Sequence, residues 1–185
     1  EILDSNAEKV DWKKMEERIA SSDPDIVASS SLATCNTYAV VKTLETAKRV
    51  APQALRVTGG QHFTATTQES LEQYPEIDAI IRGEGEQTLT ELVKCAGDKA
   101  AFPQIQGLSF RKDGKVVHNP PRPLIENLED LPFPGYHLVK ENMPKYHFST
   151  MAGEKAPYVL IEGTRGCQHE CTFCTQWRHW QGRWR

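Results

Sequence analysis

Residues 55–60, which read Leu55-Arg56-Val57-Thr58-Gly59-Gly60, join a short apolar run to two glycines that stop it. The same design occurs at Asp25-Ile26-Val27-Ala28, before a serine-rich stretch, and at Asp78-Ala79-Ile80-Ile81, before Arg82-Gly83-Glu84-Gly85. Short apolar runs bounded by turn residues are typical of buried strands. We therefore predict three strands, each followed by a polar or glycine-rich loop at its carboxyl end.

Amphipathic helical patterns separate these strands. The residues with helical spacing are Trp12, Met15 and Ile19, then Val40, Val41, Leu44 and Ala47, and finally Leu89, Leu92, Val93 and Ala96. The signals that begin or end helices are Asp23-Pro24, Asn36 or Thr37, a capping box of Thr66 with Glu69, and Gly97. Because strands that alternate with helices pair in parallel, the sequence predicts an α/β domain with a doubly wound parallel sheet. Its ligand is expected at the carboxyl ends of the strands.

The second half of the chain follows another pattern. Residues 108–117 predict a hairpin that turns at Asp113-Gly114. A proline-rich stretch, typical of an extended linker, contains Pro120, Pro121, Pro123, Pro132 and Pro134. Tyr158-Val159-Leu160-Ile161 predicts one further strand. We thus expect the α/β domain at 1–103, the hairpin and linker at 104–154, and a third unit at 155–185.

The composition is that of a folded, globular chain. Of its 185 residues, 38% are hydrophobic and 25% are charged, and the net charge is −3. These values exclude wholesale disorder, and they give no basic field that would attract nucleic acid. No apolar run approaches the roughly 20 residues that span a bilayer, and no secretory signal is present. We expect a cytoplasmic protein with no transmembrane segment.

Three of the five cysteines lie within eight residues, at Cys167, Cys171 and Cys174. The spacing C-x3-C-x2-C suits three thiolates that hold three irons of a [4Fe–4S] cluster and leave the fourth iron open. An open iron can chelate the amino and carboxylate groups of S-adenosylmethionine (SAM). Two alternatives remain: a zinc site completed by His169 or His179, and three unrelated buried thiols.

This triplet, with the aromatic Phe173 before its last cysteine, resembles the radical SAM superfamily. The resemblance implies that the three cysteines ligate the cluster and that Phe173 lies near SAM. It also implies that residues 155–185 begin a (β/α) barrel, that SAM is cleaved reductively to a radical, and that a ferredoxin or flavodoxin donates electrons.

The loops of the α/β domain, which precede this triplet, resemble the cobalamin-binding domain of B12-dependent radical SAM enzymes. The residues that the resemblance assigns to cobalamin are Ser30, Thr34, Gly59, Gly60, His62, Gly83, Glu84 and Gly85. Ordinary turn chemistry is the alternative for the glycines. The chain has no D-x-H-x-x-G motif, so we expect a cobalt without the lower histidine ligand that this motif supplies. We also expect the family's first, central strand to be absent from this chain.

The residues after the triplet, Thr175-Gln176-Trp177-Arg178-His179-Trp180, resemble those of the anaerobic magnesium-protoporphyrin IX monomethyl ester cyclases. This resemblance implies a small-molecule substrate of the tetrapyrrole type and oxidative cyclisation, with methyl transfer as the alternative within the class. Trp177, Trp180 and Trp184 are expected to pack on one helix face. The alternative is a surface that meets the cobalamin domain or an anionic substrate.

Two further expectations concern the chain as a whole. Glu1-Ile2-Leu3 reads as the end of a strand, and the patterning continues to Arg185, so we expect a fragment truncated at both ends and inactive alone. The rivals from other classes are a corrinoid-binding module without chemistry and a zinc-stabilised interaction domain.

Overall fold

The structure, a computed structural model, describes residues 1–95, 98–149 and 155–185. The predicted helix end at Ala96 and Gly97 lies outside these ranges, as do residues 150–154 of the predicted linker. The strands are β1 (Ile26–Ser30), β2 (Leu55–Gly59), β3 (Ala79–Ile81), β4 (Leu108–Lys112), β5 (Lys115–His118), β6 (His147–Ser149) and β7 (Lys155–Pro157). The helices are α1 (Trp12–Ser22), α2 (Thr37–Val50), α3 (Gln61–Ala65), α4 (Thr67–Gln73), α5 (Glu86–Lys94) and α6 (Gln176–His179).

Five strands form one sheet in the order β1-β2-β3-β4-β5. The first three strands are parallel, as predicted. Ser30 lies opposite Gly59, and Gly59 lies opposite Ile81. The carboxyl ends of β1, β2 and β3 therefore meet at one edge of the sheet, which we call the carboxyl edge. The predicted α/β fold is confirmed.

The predicted hairpin is present, and it belongs to this same sheet. Strand β4 runs antiparallel to β3, with Leu108 opposite Ile81, and β5 pairs with β4. Asp113 and Gly114 form the turn, with φ values of 51° and 74°, as a two-residue turn of type I′ requires. The sheet is therefore mixed and continues past residue 103, although the division into domains there stays a prediction.

Helices cover both faces of the sheet, as in a doubly wound fold. On β3, Ala79 and Ile81 join the apolar cluster that contains Leu92 of α5. Ile80 points to the other face, where it joins Leu44 of α2 and neighbours from α3 and α4. Full burial of a leucine such as Leu44, which is 0% exposed, contributes about 2 kcal/mol. This two-sided burial explains why β3 is a continuous apolar run.

The predicted helices form, but one of the predicted caps does not. Met15 and Ile19 are the buried residues of α1. The capping box of Thr66 with Glu69 is wrong, because α3 leads directly into α4. The Thr66 hydroxyl instead donates to the carbonyl of His62 at 2.9 Å. The predicted loop at 59–62 thus becomes a glycine turn followed at once by a helix.

Two predicted strands are absent from the described residues. Tyr158–Ile161 is not a strand, and Leu160 is 77% exposed. The short strand β7 lies just before it and pairs with β6. Ile2-Leu3 likewise forms no strand. A strand needs a neighbour for its backbone hydrogen bonds, and no described strand pairs with either segment. None of the described helices is both long and apolar enough to cross a membrane.

Gly60 closes the carboxyl edge against the loop after β1. Its φ is +88°, and a Cβ atom there would lie 2.4 Å from the carbonyl oxygen of Ser31. Gly60→Ala should therefore lower the free energy of unfolding by about 3 kcal/mol, through strain and steric overlap together. Urea denaturation of the intact protein measures this change.

Gly114→Ala is the matched control. Gly114 also has a positive φ, but nothing lies within 4 Å of the Cβ position, so only the backbone strain of about 1 kcal/mol should appear. Equal costs for the two substitutions would contradict the close approach of Gly60 to Ser31.

Candidate functional site at the carboxyl edge

A cleft of about 520 Å³ opens at the carboxyl edge of the sheet. Six of the eight residues that the sequence assigned to cobalamin line it: Ser30, Gly59, Gly60, Gly83, Glu84 and Gly85. They meet here because the parallel register brings three strand ends together. A Cβ atom on Gly83 would meet nothing within 4 Å, so the cleft is open above this residue.

The other two assigned residues, Thr34 and His62, are not among those that line the cleft. Thr34 Oγ1 and His62 Nδ1 lie 3.2 Å apart and bond to each other. Their contact joins the loop after β1 to the helix after β2. Their assignment to cobalamin stays a prediction.

The opposite wall of the cleft comes from the cysteine-bearing segment, through residues such as Arg165, His179 and Trp180. The backbone amides and carbonyls of Arg165 and Arg185 exchange hydrogen bonds of 2.9 and 2.8 Å. Gly166 and Trp184 form the adjoining antiparallel bridge. Residues 165–185 therefore make a closed loop, which we call the cysteine loop, with both ends fastened together.

A buried carboxylate fastens the cysteine loop to the sheet. Glu84 accepts hydrogen bonds from Arg165 Nη1 at 2.9 Å and from Arg185 Nη1 at 3.0 Å. It also accepts the backbone N–H of Ile125 at 2.7 Å. Burial alone would raise the pKa of Glu84, but the bonds from Arg185, Arg165 and Ile125 hold it below its ordinary value. Glu84 is therefore charged at neutral pH.

These contacts bear on the assignment of Glu84 to cobalamin. Both of its carboxylate oxygens are engaged by protein groups. Arg165 also pairs with Glu86 at 2.7 Å, and although burial opposes it, its bonds to Glu86 and Glu84 raise its pKa. The side chain of Glu84 thus serves as an anchor for the cysteine loop, and a cobalamin contact by this residue stays a prediction.

A second contact joins the cysteine loop to the start of helix α3. The side-chain amides of Gln61 and Gln176 exchange two hydrogen bonds, of 3.2 and 3.0 Å. Trp180 Nε1 donates to the same Gln176 oxygen at 2.8 Å. The sequence did not indicate this pair, because a contact between residues 115 positions apart leaves no local pattern.

Two buried polar atoms along the cleft have no hydrogen-bond partner among the described residues: Thr58 Oγ1 and His179 Nδ1. Thr58 is only 2% exposed. Burial lowers the pKa of His179, against the opposing charge of Glu84, so its imidazole is neutral at pH 7. Orphaned polar groups beside a cavity are a mark of a ligand site. They fit a ligand such as cobalamin, whose corrin ring carries many amide side chains.

The three cysteines are free thiols on the cysteine loop. Cys167 and Cys174 are half-buried and Cys171 is exposed. The Cys174 N–H donates to the Cys171 carbonyl at 3.0 Å, which forms a turn. Phe173 is 90% exposed.

This donor set has the chemistry of an iron–sulfur site. However, within residues 1–95, 98–149 and 155–185 no three cysteine, histidine or carboxylate groups are gathered as metal ligands. Among the same residues, no three such groups are gathered around His169 or His179 as a zinc site would require. The assignments of the three cysteines to a cluster and of Phe173 to SAM remain predictions.

The tryptophans do not share one helix face, so that prediction is wrong. Helix α6 spans only Gln176–His179, and Trp184 is 59% exposed. The alternative, a surface that meets the α/β domain, describes the contacts better. Arg185 binds Glu84, donates to the Ile125 carbonyl and lies 5.5 Å from the centre of the Trp180 ring, within the range of a cation–π contact.

A larger cavity, of about 720 Å³, lies beside α1 and the free edge of β1. It contains Ser29 and Ser30 but none of the glycines of the carboxyl edge. It also lacks the residues of the cysteine loop. The cleft at the carboxyl edge therefore remains the candidate site, because the predicted residues and the cysteine loop meet there.

Comparison with known proteins identifies the fold. Residues 1–93 match the family model of the B12-binding domain. The chain superposes on the cobalamin-dependent SAM radical enzyme OxsB, solved with aqua-cobalamin and SAM bound, with a TM-score of 0.74 and 21% identity. That match covers 94% of this chain and 23% of OxsB. A likeness at this identity shows a shared fold.

Curated relatives are closer in sequence. An uncharacterized methyltransferase of Pyrococcus horikoshii, PH0819, is 36% identical over all of this chain. The anaerobic magnesium-protoporphyrin IX monomethyl ester cyclase of Cereibacter sphaeroides is 34% identical over 97% of it. The chain spans only 38% and 29% of these two relatives. It belongs to the B12-binding domain family and is related to B12-dependent radical SAM enzymes, as the loop residues predicted.

Proposed function

We propose that the protein containing this chain is a B12-dependent radical SAM enzyme. Cobalamin would occupy the cleft at the carboxyl edge. A [4Fe–4S] cluster would be held by Cys167, Cys171 and Cys174, with SAM on its open iron and Phe173 nearby. When bound, these groups supply the reductive cleavage of SAM and a corrinoid cobalt that exchanges electrons or a methyl group with a substrate radical.

One observation carries this proposal: the cysteine loop forms a wall of the cleft at the carboxyl edge. Both ends of the loop meet at Arg165 and Arg185, and both guanidinium groups bind Glu84. A radical enzyme with two cofactors needs both of them near one substrate, because a radical formed on the substrate would have to react with the corrinoid before it reacts with anything else. The position of the cysteine loop would therefore place a cluster and a cobalamin near the same substrate.

The residues of the chain itself would bind and orient the corrin. Thr58 Oγ1 and His179 Nδ1 supply unused hydrogen-bonding capacity. The open space above Gly83 admits a planar ring. The neutral imidazole of His179 can donate or accept according to its tautomer. The indole of Trp180 adds an apolar surface that helps to exclude water.

Two reaction types fit this class. Similarity to the cyclase of Cereibacter sphaeroides supports oxidative cyclisation of a tetrapyrrole-type substrate. Similarity to PH0819, and to the cobalamin-dependent radical SAM methyltransferase TokK of Streptomyces tokunonensis, 28% identical over 82% of the chain, supports methyl transfer equally. Formation of S-adenosylhomocysteine and methylcobalamin during turnover would favour methyl transfer. Their absence, with 5′-deoxyadenosine formed, would favour cyclisation. A ferredoxin or flavodoxin as electron donor and a cytoplasmic location are further parts of the proposal.

Anaerobic reconstitution of the intact protein with iron, sulfide and hydroxocobalamin tests the cofactor set. We expect about four irons per chain, an electron paramagnetic resonance signal after reduction, and one bound cobalamin. Cys171→Ala should lose the signal and retain cobalamin. Cys35→Ala, which removes an exposed cysteine outside the triplet, should retain both. Zinc without iron, or equal iron in the two variants, would contradict the proposal.

Removal of the Thr58 hydroxyl should raise the stability of the protein and lower its affinity for cobalamin. Thr58→Val removes an unpartnered buried hydroxyl at nearly constant shape, so the free energy of unfolding should rise by about 1 kcal/mol without ligand. Loss of a hydrogen bond to the ligand should weaken cobalamin binding about tenfold. Urea denaturation and absorbance titration measure the two changes.

Thr67→Val is the control, because the Thr67 hydroxyl is also buried but donates to the Phe63 carbonyl at 2.7 Å. This substitution should lower the free energy of unfolding by about 1 kcal/mol and leave cobalamin affinity unchanged. If both variants bind cobalamin like the wild type, Thr58 does not contact the ligand.

Glu84→Gln should release the cysteine loop from the sheet. Removal of one partner from a buried ion pair costs about 3 kcal/mol, which corresponds to roughly 100-fold faster hydrogen exchange in residues 165–185. Because the pKa of Glu84 is held below its ordinary value of 4.5, the wild-type protein should keep this protection at neutral pH. The wild-type protein should lose this protection only as the pH falls below about 4.5 and the Glu84 carboxylate becomes protonated.

Glu126→Gln is the matched control, because Glu126 also binds an arginine of the cysteine loop. Glu126 binds Arg183 through two bonds of 2.6 Å, but both side chains are largely exposed, so no measurable change in exchange is expected. Unchanged exchange in Glu84→Gln would show that the loop is held by other contacts.

A further inference from the structure

A second cleft, of about 390 Å³, lies next to the first, on the far side of His179. Its lining includes Arg82, Arg122, Thr64, Thr175 and Gln181. No carboxylate among the described residues lines it, whereas three glutamates line the first cleft. The two clefts share Gln61, Gly83 and His179, so they adjoin each other.

Arg82 carries an uncompensated charge in this cleft. Its Nε atom is buried and has no partner among the described residues. Its Nη2 donates to the carbonyl of Asn119, and no described carboxylate lies within ion-pair distance of it. Burial lowers its pKa, and its charge adds to the burial that lowers the pKa of His118. Burial therefore disfavours the positive charge of Arg82, and no described carboxylate neutralises it.

The other half-buried arginines have more partners among the described residues. Arg185 also has an unpartnered Nε, but its two terminal nitrogens donate to Glu84. Arg122, on the same cleft, pairs with Glu91. Arg111 has no carboxylate partner either, but its two terminal nitrogens donate to the carbonyls of four residues near the end of α4. Among the described residues, the Arg82 guanidinium has one partner, the carbonyl of Asn119. An uncompensated buried charge is expensive, and a bound anion is the group that would satisfy it.

We propose that the cleft beside Arg82 binds an oxyanion, a phosphate or a carboxylate, with the Arg82 guanidinium as its main partner. A planar guanidinium suits two oxygens of such a group. The hydroxyl of Thr64, which accepts the Gly83 N–H at 3.1 Å, retains its own proton to donate. Thr175 follows the last cysteine of the triplet, so the oxyanion would lie between the cobalamin cleft and the cysteine loop.

Two sources of the oxyanion share this chemistry. One is the nucleotide phosphate of cobalamin, and the other is a carboxylate or phosphate of the substrate. The identification of these sources rests on the proposed function. The existence of the site does not, because inorganic phosphate can probe it without cobalamin, iron or SAM.

The test measures thermal stabilisation of the intact protein by inorganic phosphate at millimolar concentrations. Phosphate stabilises proteins in general by exclusion from their surface, so the informative quantity is the difference between variants. Wild type and Arg49→Gln, which removes an exposed arginine on α2, should show the same phosphate-dependent rise. Arg82→Gln should lose the saturable part of that rise, with at least a tenfold weaker apparent affinity. Arg82→Lys should retain a weaker effect, because the charge stays but the fork geometry is lost.

Ala65→Phe provides an independent variant in case Arg82→Gln does not fold. Ala65 lines the cleft and is exposed, so a phenyl group there fills the space without touching the core. It should abolish the saturable effect. If Arg82→Gln or Ala65→Phe responds to phosphate like the wild type, or if the wild type shows no saturable response, the proposed site does not exist.

Cobalamin and cobinamide, which lacks the nucleotide phosphate, separate the two sources. If Arg82→Gln weakens cobalamin binding and leaves cobinamide binding unchanged, Arg82 holds the nucleotide phosphate. If it changes neither and still loses the phosphate response, the oxyanion belongs to the substrate. Failure of both corrinoids to bind the wild type would count against the proposed function and leave the phosphate result intact.

Discussion

The carboxylate of Glu84 is the contact on which the arrangement of the site depends. It lies just after β3, at the carboxyl edge, where the sheet alone would leave an open surface. Its two oxygens accept from Arg165 and Arg185, and these residues are the two ends of the cysteine loop. One buried anion therefore determines where the loop closes and where its residues lie relative to the cleft.

This arrangement is strong because its parts are mutually dependent. A lone buried carboxylate would be protonated or hydrated. Two guanidinium groups and a backbone N–H keep Glu84 charged, and the charge in turn holds both arginines. Arg82 provides a contrast, because this cation lies two residues before Glu84 and its buried Nε has no partner among the described residues. Each glutamate of the first cleft is paired with an arginine, whereas Arg82 in the second cleft has no carboxylate partner among the described residues, and this difference suggests an external anion.

The sequence predicted what depends on local pattern. The apolar runs of β1, β2 and β3, the helices between them and the turn at Asp113-Gly114 all follow from periodicity and turn chemistry. Six cleft residues were found because parallel strands bring their ends to one edge. Long-range contacts were out of reach: Glu84 was assigned to the ligand because nothing in its neighbourhood indicates Arg165 or Arg185. Thr58 was passed over as an ordinary strand residue. The hairpin was separated from the domain because no local signal shows that β4 pairs with β3.

The strand predicted at 158–161 failed for a related reason. Its composition favours a strand, but strand formation depends on a neighbour that periodicity does not describe. The cysteine triplet is the reverse case, since its spacing is informative about chemistry while the described geometry leaves the thiols apart. Residue types and their spacing indicate the chemistry of a site. They do not show whether the side chains converge in space.

Anomalous scattering from cobalt in crystals of the intact protein with cobalamin tests the central claim most directly. The cobalt peak should lie over the carboxyl ends of β1, β2 and β3, between Gly83 and the cysteine loop, with Arg165 and Arg185 still bound to Glu84. A cobalt peak in the cavity beside α1, or a cysteine loop that has moved away from Glu84 while cobalamin is bound, would contradict the account.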